Sequence, residues 1–385
     1  MRFRGIGRFS GGDPDRRPFH NRHSTGGVLH SSGNVGGSHP AAQAIVRCMT
    51  TEISARSPAD LIAVIPALLG FHPSESLVVV ALDECHRLGF RMRVDLPPPK
   101  HVETVAGGLA AHLQSQGADG ALLVAFSADA ASADAAVHAA RDRLSACGVH
   151  VAEALRCDGE RYWSYECDNP DCCPPEGTPY QPDASPLLAE AVYRGVEVLP
   201  SRQAVADRVA PVGGTTRAVI EEASARVAGR MQAASGVRAR DSDPGLLRVG
   251  LAEVRTVLAA IDDGLQVDVE RAATLSVWSS LIVIRDVLWS RMDRENAAAE
   301  LAMWLQVARL VVPPYEPAVL SLTAFAAWLG GDGALAQCAL ERAETADPSY
   351  SMARLVAETV RGGLSPEAWE RFSESEVLRS VSGLE

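Results

Sequence analysis

A chain of 385 residues, 47% of them apolar, is long enough for two or three domains with substantial cores. The net charge of −12 falls on the body of the chain, because the first 48 residues carry seven arginines against two aspartates; a body this acidic repels phosphate backbones and argues against nucleic-acid partners. No apolar run approaches the roughly 20 residues that cross a bilayer, and eight cysteines are too sparse for a disulfide scaffold, so the expected setting is the cytoplasm, with reduced thiols and no membrane.

Residues 1–48 are rich in Gly, Ser, His and Arg and lack hydrophobic periodicity, which reads as disorder. The twin Arg16-Arg17 is followed by no apolar region and is not an export signal. Met49 opens a stretch that reads like a true protein start, so 1–48 is expected to be either a flexible segment or upstream of the translation start.

An α/β domain is expected over 49–215. "SPADLIAVIPALLGF" offers Ser57 as N-cap, Pro58 at the first helical position and Gly70 as stop, with Pro66 as a kink or boundary. "SESLVVVAL" reads as a buried strand and "LGFRMRVDL" as an alternating one. A helix over 102–116, the strand "GALLVAFSA" and an alanine-rich helix over 131–147 follow, an alternation that predicts parallel pairing at the sheet centre. "VHVAEALRCDGERYWSYE" reads as a β-hairpin turning at Asp158-Gly159. Prolines exclude regular structure from 169 to 182. A short helix near 185–194 and a strand in "GVEVLPSRQAVADRV", with Ser201 capping the next helix, complete the domain.

A helical domain is expected over 216–370, with segments near 244–261, 268–290, 294–311, 316–330, 333–346 and 349–361, then a tail over 371–385. Small residues between Leu320 and Pro348 resemble one tetratricopeptide-type hairpin. Plain bundle packing predicts the same spacing and is favoured. Trp278, Trp289 and Trp304 read as core.

Three stretches, "SPADLIAVIPALLGFHPSESLVVV", "RYWSYECDNPDCCPPEGTPY" and "AAWLGGDGALAQCALERAETADPSYSMARL", together resemble the bacterial family of domain of unknown function 4192, common in actinobacteria. The resemblance runs from about residue 54 to 363. It implies a shared fold and a bacterial cytoplasmic setting, and carries no activity, substrate or site residue with it.

The single lysine, Lys100, sits among prolines, which removes Walker-type phosphate loops, kinase lysines and Schiff-base chemistry. No dinucleotide fingerprint, nucleophile elbow or HExxH motif is present. The positive signal is the loop holding Cys167, Cys172 and Cys173, with Cys157 on the partner strand of the hairpin. Zinc favours thiolates two to four residues apart, and His72 or His150 are conceivable further ligands. Against a metal, the neighbours Cys172 and Cys173 would diverge in an extended chain. A redox pair, with Arg161 as the one nearby cation, and plain packing of small apolar thiols compete with it; packing is favoured. His72 and Glu75 lie in the turn "GFHPSES", and Arg93 shares a strand face with Arg91 and Asp95. These are weak catalytic or anion-binding candidates beside the simpler reading of a solvated turn and sheet face.

The fold expected is thus an α/β domain, a mixed sheet with flanking helices and a β-hairpin, followed by an all-α domain. The function expected is an interaction or regulatory protein that engages another protein through its helical domain. The alternative is a small-ligand binder or enzyme using a cleft of the α/β domain, with zinc as the candidate cofactor in a structural role.

Overall fold

The computed structural model describes residues 44–48, 51–55, 57–83, 88–181, 185–193, 195–235 and 243–379. The expectations for residues 1–43 and for Met49 as a start lie outside them. Residues 44–48, read as part of a disordered segment, instead form a strand: β1 (Ala44–Cys48) pairs antiparallel with β2 (Thr51–Ala55).

Helix α1 (Pro58–Leu69) begins as its sequence dictates, with the Ser57 side chain accepting from the Asp60 amide and Pro58 at the first position. It runs through Pro66 and stops at Gly70, whose φ of +78° is the left-handed cap conformation. Strands β3 (Ser76–Leu82), β4 (Leu88–Asp95), β5 (Gly120–Phe126), β6 (His150–Cys157), β7 (Arg161–Ser164) and β8 (Thr178–Pro179) form one sheet in the order β4-β3-β5-β6-β7-β8. Only β5 and β6, at its centre, pair in parallel. They are joined by α3 (Ala130–Ala146), while α2 (Val102–Ser115) links β4 to β5.

Both faces of this sheet are covered, which explains why β3 and β5 read as unbroken apolar runs. Leu77, Val79, Leu123 and Ala125 pack beneath α2 and α3, against Leu113, Val137 and Leu144. Val78, Val80, Leu122 and Val124 face the other way, toward Leu61, Ile62 and Ile65 of α1. Helix α4 (Pro186–Tyr193) lies beside α1.

The stretch "GVEVLP" is not a sheet strand. Leu199 makes a single parallel bridge to Phe71, and Pro200 ends the extended run. The rest of the described chain is helical: α5 (Arg202–Asp207), α6 (Gly214–Ala234), α7 (Pro244–Asp262), α8 (Val269–Trp278), α9 (Ile282–Ser290), α10 (Ala297–Leu310), α11 (Glu316–Leu329), α12 (Gly333–Ala346), α13 (Ser351–Arg361) and α14 (Glu374–Arg379). Helix α11 is buried on every side from Pro317 to Leu329. It is the central rod of a bundle, not one layer of an array. Trp278, Trp289 and Trp304 lie in its core. The segment read as a tail contributes α14, which packs on α9 and pairs Glu374 with Arg255. Among the described residues no single helix is long and apolar enough to cross a membrane.

Candidate functional site

The hairpin β6–β7 builds a platform for the cysteine loop. Its turn centres on Gly159-Glu160, one residue later than expected. The Asp158 amide donates to the Arg161 carbonyl, and the Asp158 carboxylate accepts from the amides of Glu160 and Arg161. Gly159, at φ +103°, takes the first central position, as such hairpin turns require.

Two side chains of β7 then hold the loop. The Trp163 indole donates to the Pro175 carbonyl at 3.0 Å, and the Arg156 guanidinium covers the same ring at 3.6 Å. Arg161 donates to the carbonyls of Gly177 and Glu176. Gly177, at φ +83°, lies so close to Trp163 that a Cβ would fall 2.5 Å from the ring. The return strand β8 pairs Thr178 with Tyr162, so the loop read as free of regular structure closes as a third short strand.

Inside this frame the chain turns tightly at Asn169. Its carbonyl accepts from the amides of both Cys172 and Cys173, at 3.2 and 2.8 Å, and its side chain accepts from Asp171. The two neighbouring cysteines therefore sit in a turn rather than an extended chain, which removes the geometric objection raised by their adjacency. Cys167 Sγ lies 3.1 Å from Cys172 Sγ, and Cys172 Sγ 3.8 Å from Cys173 Sγ. The three sulfurs all lie within 4.8 Å of one another.

The cluster polarises its own thiols. Hydrogen bonds from Cys172 and Cys173, and then from the Asn169 amide, hold the Cys167 thiol below its ordinary value. Cys172 is raised, chiefly by its thiol contact with Cys167. Burial, then the two other thiols, push Cys173 up to about 12. The Glu153 carboxylate, 9% exposed and bonded to Ser164 Oγ at 2.9 Å, adds a negative field at Cys167. A group of closely spaced thiols with a buried carboxylate nearby favours a soft cation, which would displace the remaining thiol protons.

Other sequence candidates fall elsewhere. Cys157 lies outside the three-thiol cluster. It is 1% exposed, packs with Leu155 and Phe126 on the α1 side of the sheet, and accepts a hydrogen bond from Tyr180; burial pushes its thiol up to about 11. His150 begins β6 and His72 follows α1, both exposed and both outside the thiol cluster. Arg161 serves the loop carbonyls of Glu176 and Gly177.

Glu75, His72 and Arg93 each make contacts of their own. Glu75, at φ +42°, accepts from Ser127 Oγ at 2.7 Å beyond the end of β5. Arg93 is not on a solvated face: its side chain is 15% exposed, donates to the Ser74 carbonyl and pairs with Asp95 at 2.6 Å. His72 bonds through its backbone to Leu199.

A cleft of about 270 Å³ opens where the α/β domain meets the bundle, lined by the end of α1, the 197–199 segment, α5 and Asp332 before α12. It does not reach the cysteine loop, as a site joining the 70–76 turn to that loop would require. Sequence reading missed it because its charged residues, Glu197, Arg208 and Asp332, are far apart in the chain. It also missed Asn169, although the Asn-Pro pair two residues after Cys167 is a turn signal.

The model of a domain of unknown function, DUF4192, matches residues 58–367. The chain belongs to this family. The DUF4192 match takes in the whole six-stranded sheet, the cysteine loop and the bundle through α13. No curated protein and no solved structure matches the chain.

Proposed function

We propose that this DUF4192 protein is a cytoplasmic regulatory or interaction protein whose Cys167, Cys172 and Cys173 hold a zinc ion on an exposed loop at the sheet edge. The observation that carries this reading is the convergence of three sulfurs within 4.8 Å. With Zn–S near 2.3 Å, tetrahedral geometry sets neighbouring thiolates about 3.8 Å apart. The observed separations, from 3.1 Å upward, span that value.

Zinc takes four donors. Among the described residues no further His, Cys, Asp or Glu joins the cluster. The fourth position therefore faces outward, to water or to a donor from a partner, and this links the metal to an interaction role. The helical domain supplies the larger surface for a protein partner.

The test is metal content of untagged protein purified under reducing conditions, with a parallel thiol titration. One zinc per chain is expected, with the three loop thiols shielded from alkylation and both properties lost in Cys167→Ser. Metal-free protein whose loop thiols all react would leave the loop as packing and end the zinc reading. A ligand-binding role is favoured by a different observation, the cleft between the domains.

A further inference from the structure

The interdomain cleft has a composition that a packing seam does not require. Its apolar wall is Leu69, Leu199 and Val205, the first two only half-buried. Across from it stand Arg208, Glu197 and Asp332. Arg208 is two-thirds buried, with 33% of its side chain exposed. Among the described residues its guanidinium has one partner, Asp332 at 3.6 Å, beyond good hydrogen-bond geometry. Five N–H donors thus lie at the cleft with no hydrogen bond from the protein.

Asp332 has part of its capacity committed, because Oδ1 caps α12 by accepting from the Leu335 amide. Glu197 is exposed at the rim and, among the described residues, bonds to no side chain. Burial raises the Asp332 carboxyl above its ordinary value; the charges of Arg208 and Arg91 lower it and that of Glu197 raises it further. The cleft therefore offers two carboxylates, one under-used guanidinium and an aliphatic wall, in a volume of about 270 Å³.

We propose that this cleft binds a small aliphatic zwitterion, of the class of free leucine-like amino acids. The ligand carboxylate pairs with Arg208, a planar fork suited to two parallel hydrogen bonds. The ammonium lies between Glu197 and Asp332, and the aliphatic side chain covers Leu69, Leu199 and Val205. A simple anion would meet two carboxylates, and a simple amine would meet Arg208; only a molecule with both charges satisfies the lining. The volume lies at the small end for ligand pockets, which suits a single amino acid and not a nucleotide or peptide. Because Leu69 belongs to the α/β domain and Asp332 to the bundle, such a ligand would tie the two together.

The proposal is independent of the zinc site, and its test leaves the cysteines intact. Thermal unfolding of the full chain would be followed with added L-leucine, L-leucinamide and 4-methylpentanoate. Leucine at about ten times its Kd is expected to raise the midpoint by the order of 2 °C. The amide and the acid, each lacking one charge, should shift it far less. Glu197→Gln, an exposed and conservative change, should abolish the leucine shift while leaving the unliganded midpoint in place. Arg208→Gln should also abolish the leucine shift, with direct calorimetric titration separating lost binding from any lost stability. Equal shifts from all three compounds, a shift that survives Glu197→Gln, or no heat of binding at millimolar leucine would each overturn the assignment.

Discussion

Burial raises the Cys157 thiol to about 11, while Cys167, in the loop beyond β7, is held below an ordinary thiol by its hydrogen bonds. Each unit of pKa changes the thiolate fraction about tenfold. In metal-stripped protein at neutral pH, Cys167 is therefore expected to alkylate first, with Cys173 and Cys157 lagging by at least tenfold, as read by peptide mass mapping against time. Equal rates at the three positions would contradict the polarised cluster. The same shift has a consequence for stability. The folded state holds the Cys157 proton more tightly than the unfolded chain, whose thiol titrates near 9, so the fold loses stability as pH rises from about 9 through 11. Gly177 poses the sharpest steric demand in the loop. Gly177→Ala adds a Cβ against Trp163 at a φ that side chains rarely adopt, with an expected cost of about 2 kcal/mol in denaturant unfolding. At this scale the sequence was legible where chemistry is local. The cysteine spacing is read directly from the chain; the Asn169-Pro170 turn is equally local and was passed over. Glu153 was not legible, because its approach to the thiols depends on how the loop folds back over β6.

Helices α8 and α9 were expected as one segment over 268–290, because their apolar spacing continues across the join. The axis instead turns by 114°. Two serines explain it: Ser279 Oγ donates back to the Ser276 carbonyl and Ser280 Oγ to the Val277 carbonyl, so both compete with the backbone ladder. Helix α6 went unread for the opposite reason. Its buried stripe is thin, only Ile220, Ala223, Ser224 and Val227, and most of its other positions are polar or small. The bend has a partner on α7. A Cβ at Gly250 would collide with Trp278 and with Ile284, residues that lie on either side of the turn. Helix propensity alone favours Gly250→Ala by about 1 kcal/mol, whereas overpacking a tight core typically costs 1–3 kcal/mol. The steric effect should win, giving a net loss of about 1 kcal/mol or more in chemical denaturation. A stabilised variant would mean that the α7 contact is looser than described.

At the scale of the whole molecule, the α/β domain and the bundle are not independent bodies. Phe71, which follows α1, is 3% exposed and belongs to the buried cluster of the bundle, the same one that holds Val205, Leu247 and Trp328. The Gln116 side chain donates to the Gly362 carbonyl, and Phe90 packs so closely on Gly363 that a Cβ there would strike its ring. Helix α5, assigned by sequence to the α/β domain, is bound to α12 through Arg202 and Glu341 at 2.5 Å. Arg342 of α12 reaches the carbonyls of Val209 and Ala308 and pairs with Glu316 at 2.6 Å, joining the segment after α5 to α10 and α11 at one point. Sequence alone located a boundary between two classes of structure, since the change from strands to helices is written in the periodicity. It gave no hint that the boundary is a fused seam, because Phe71 looks like any residue after a helix stop. Fusion through buried apolar contacts predicts cooperativity. Calorimetry of the full chain should show one unfolding transition, and Phe71→Ala, which empties a site in the shared core, should cost about 3–5 kcal/mol and lower the midpoint of both halves together, as followed by tryptophan fluorescence for the bundle and by hydrogen exchange in β3 and β5 for the sheet. If the wild-type protein melted in two separate steps, or if the variant loosened the sheet while the bundle melted unchanged, the seam would be a contact between independent domains, and a ligand seated in its cleft could no longer stabilise both.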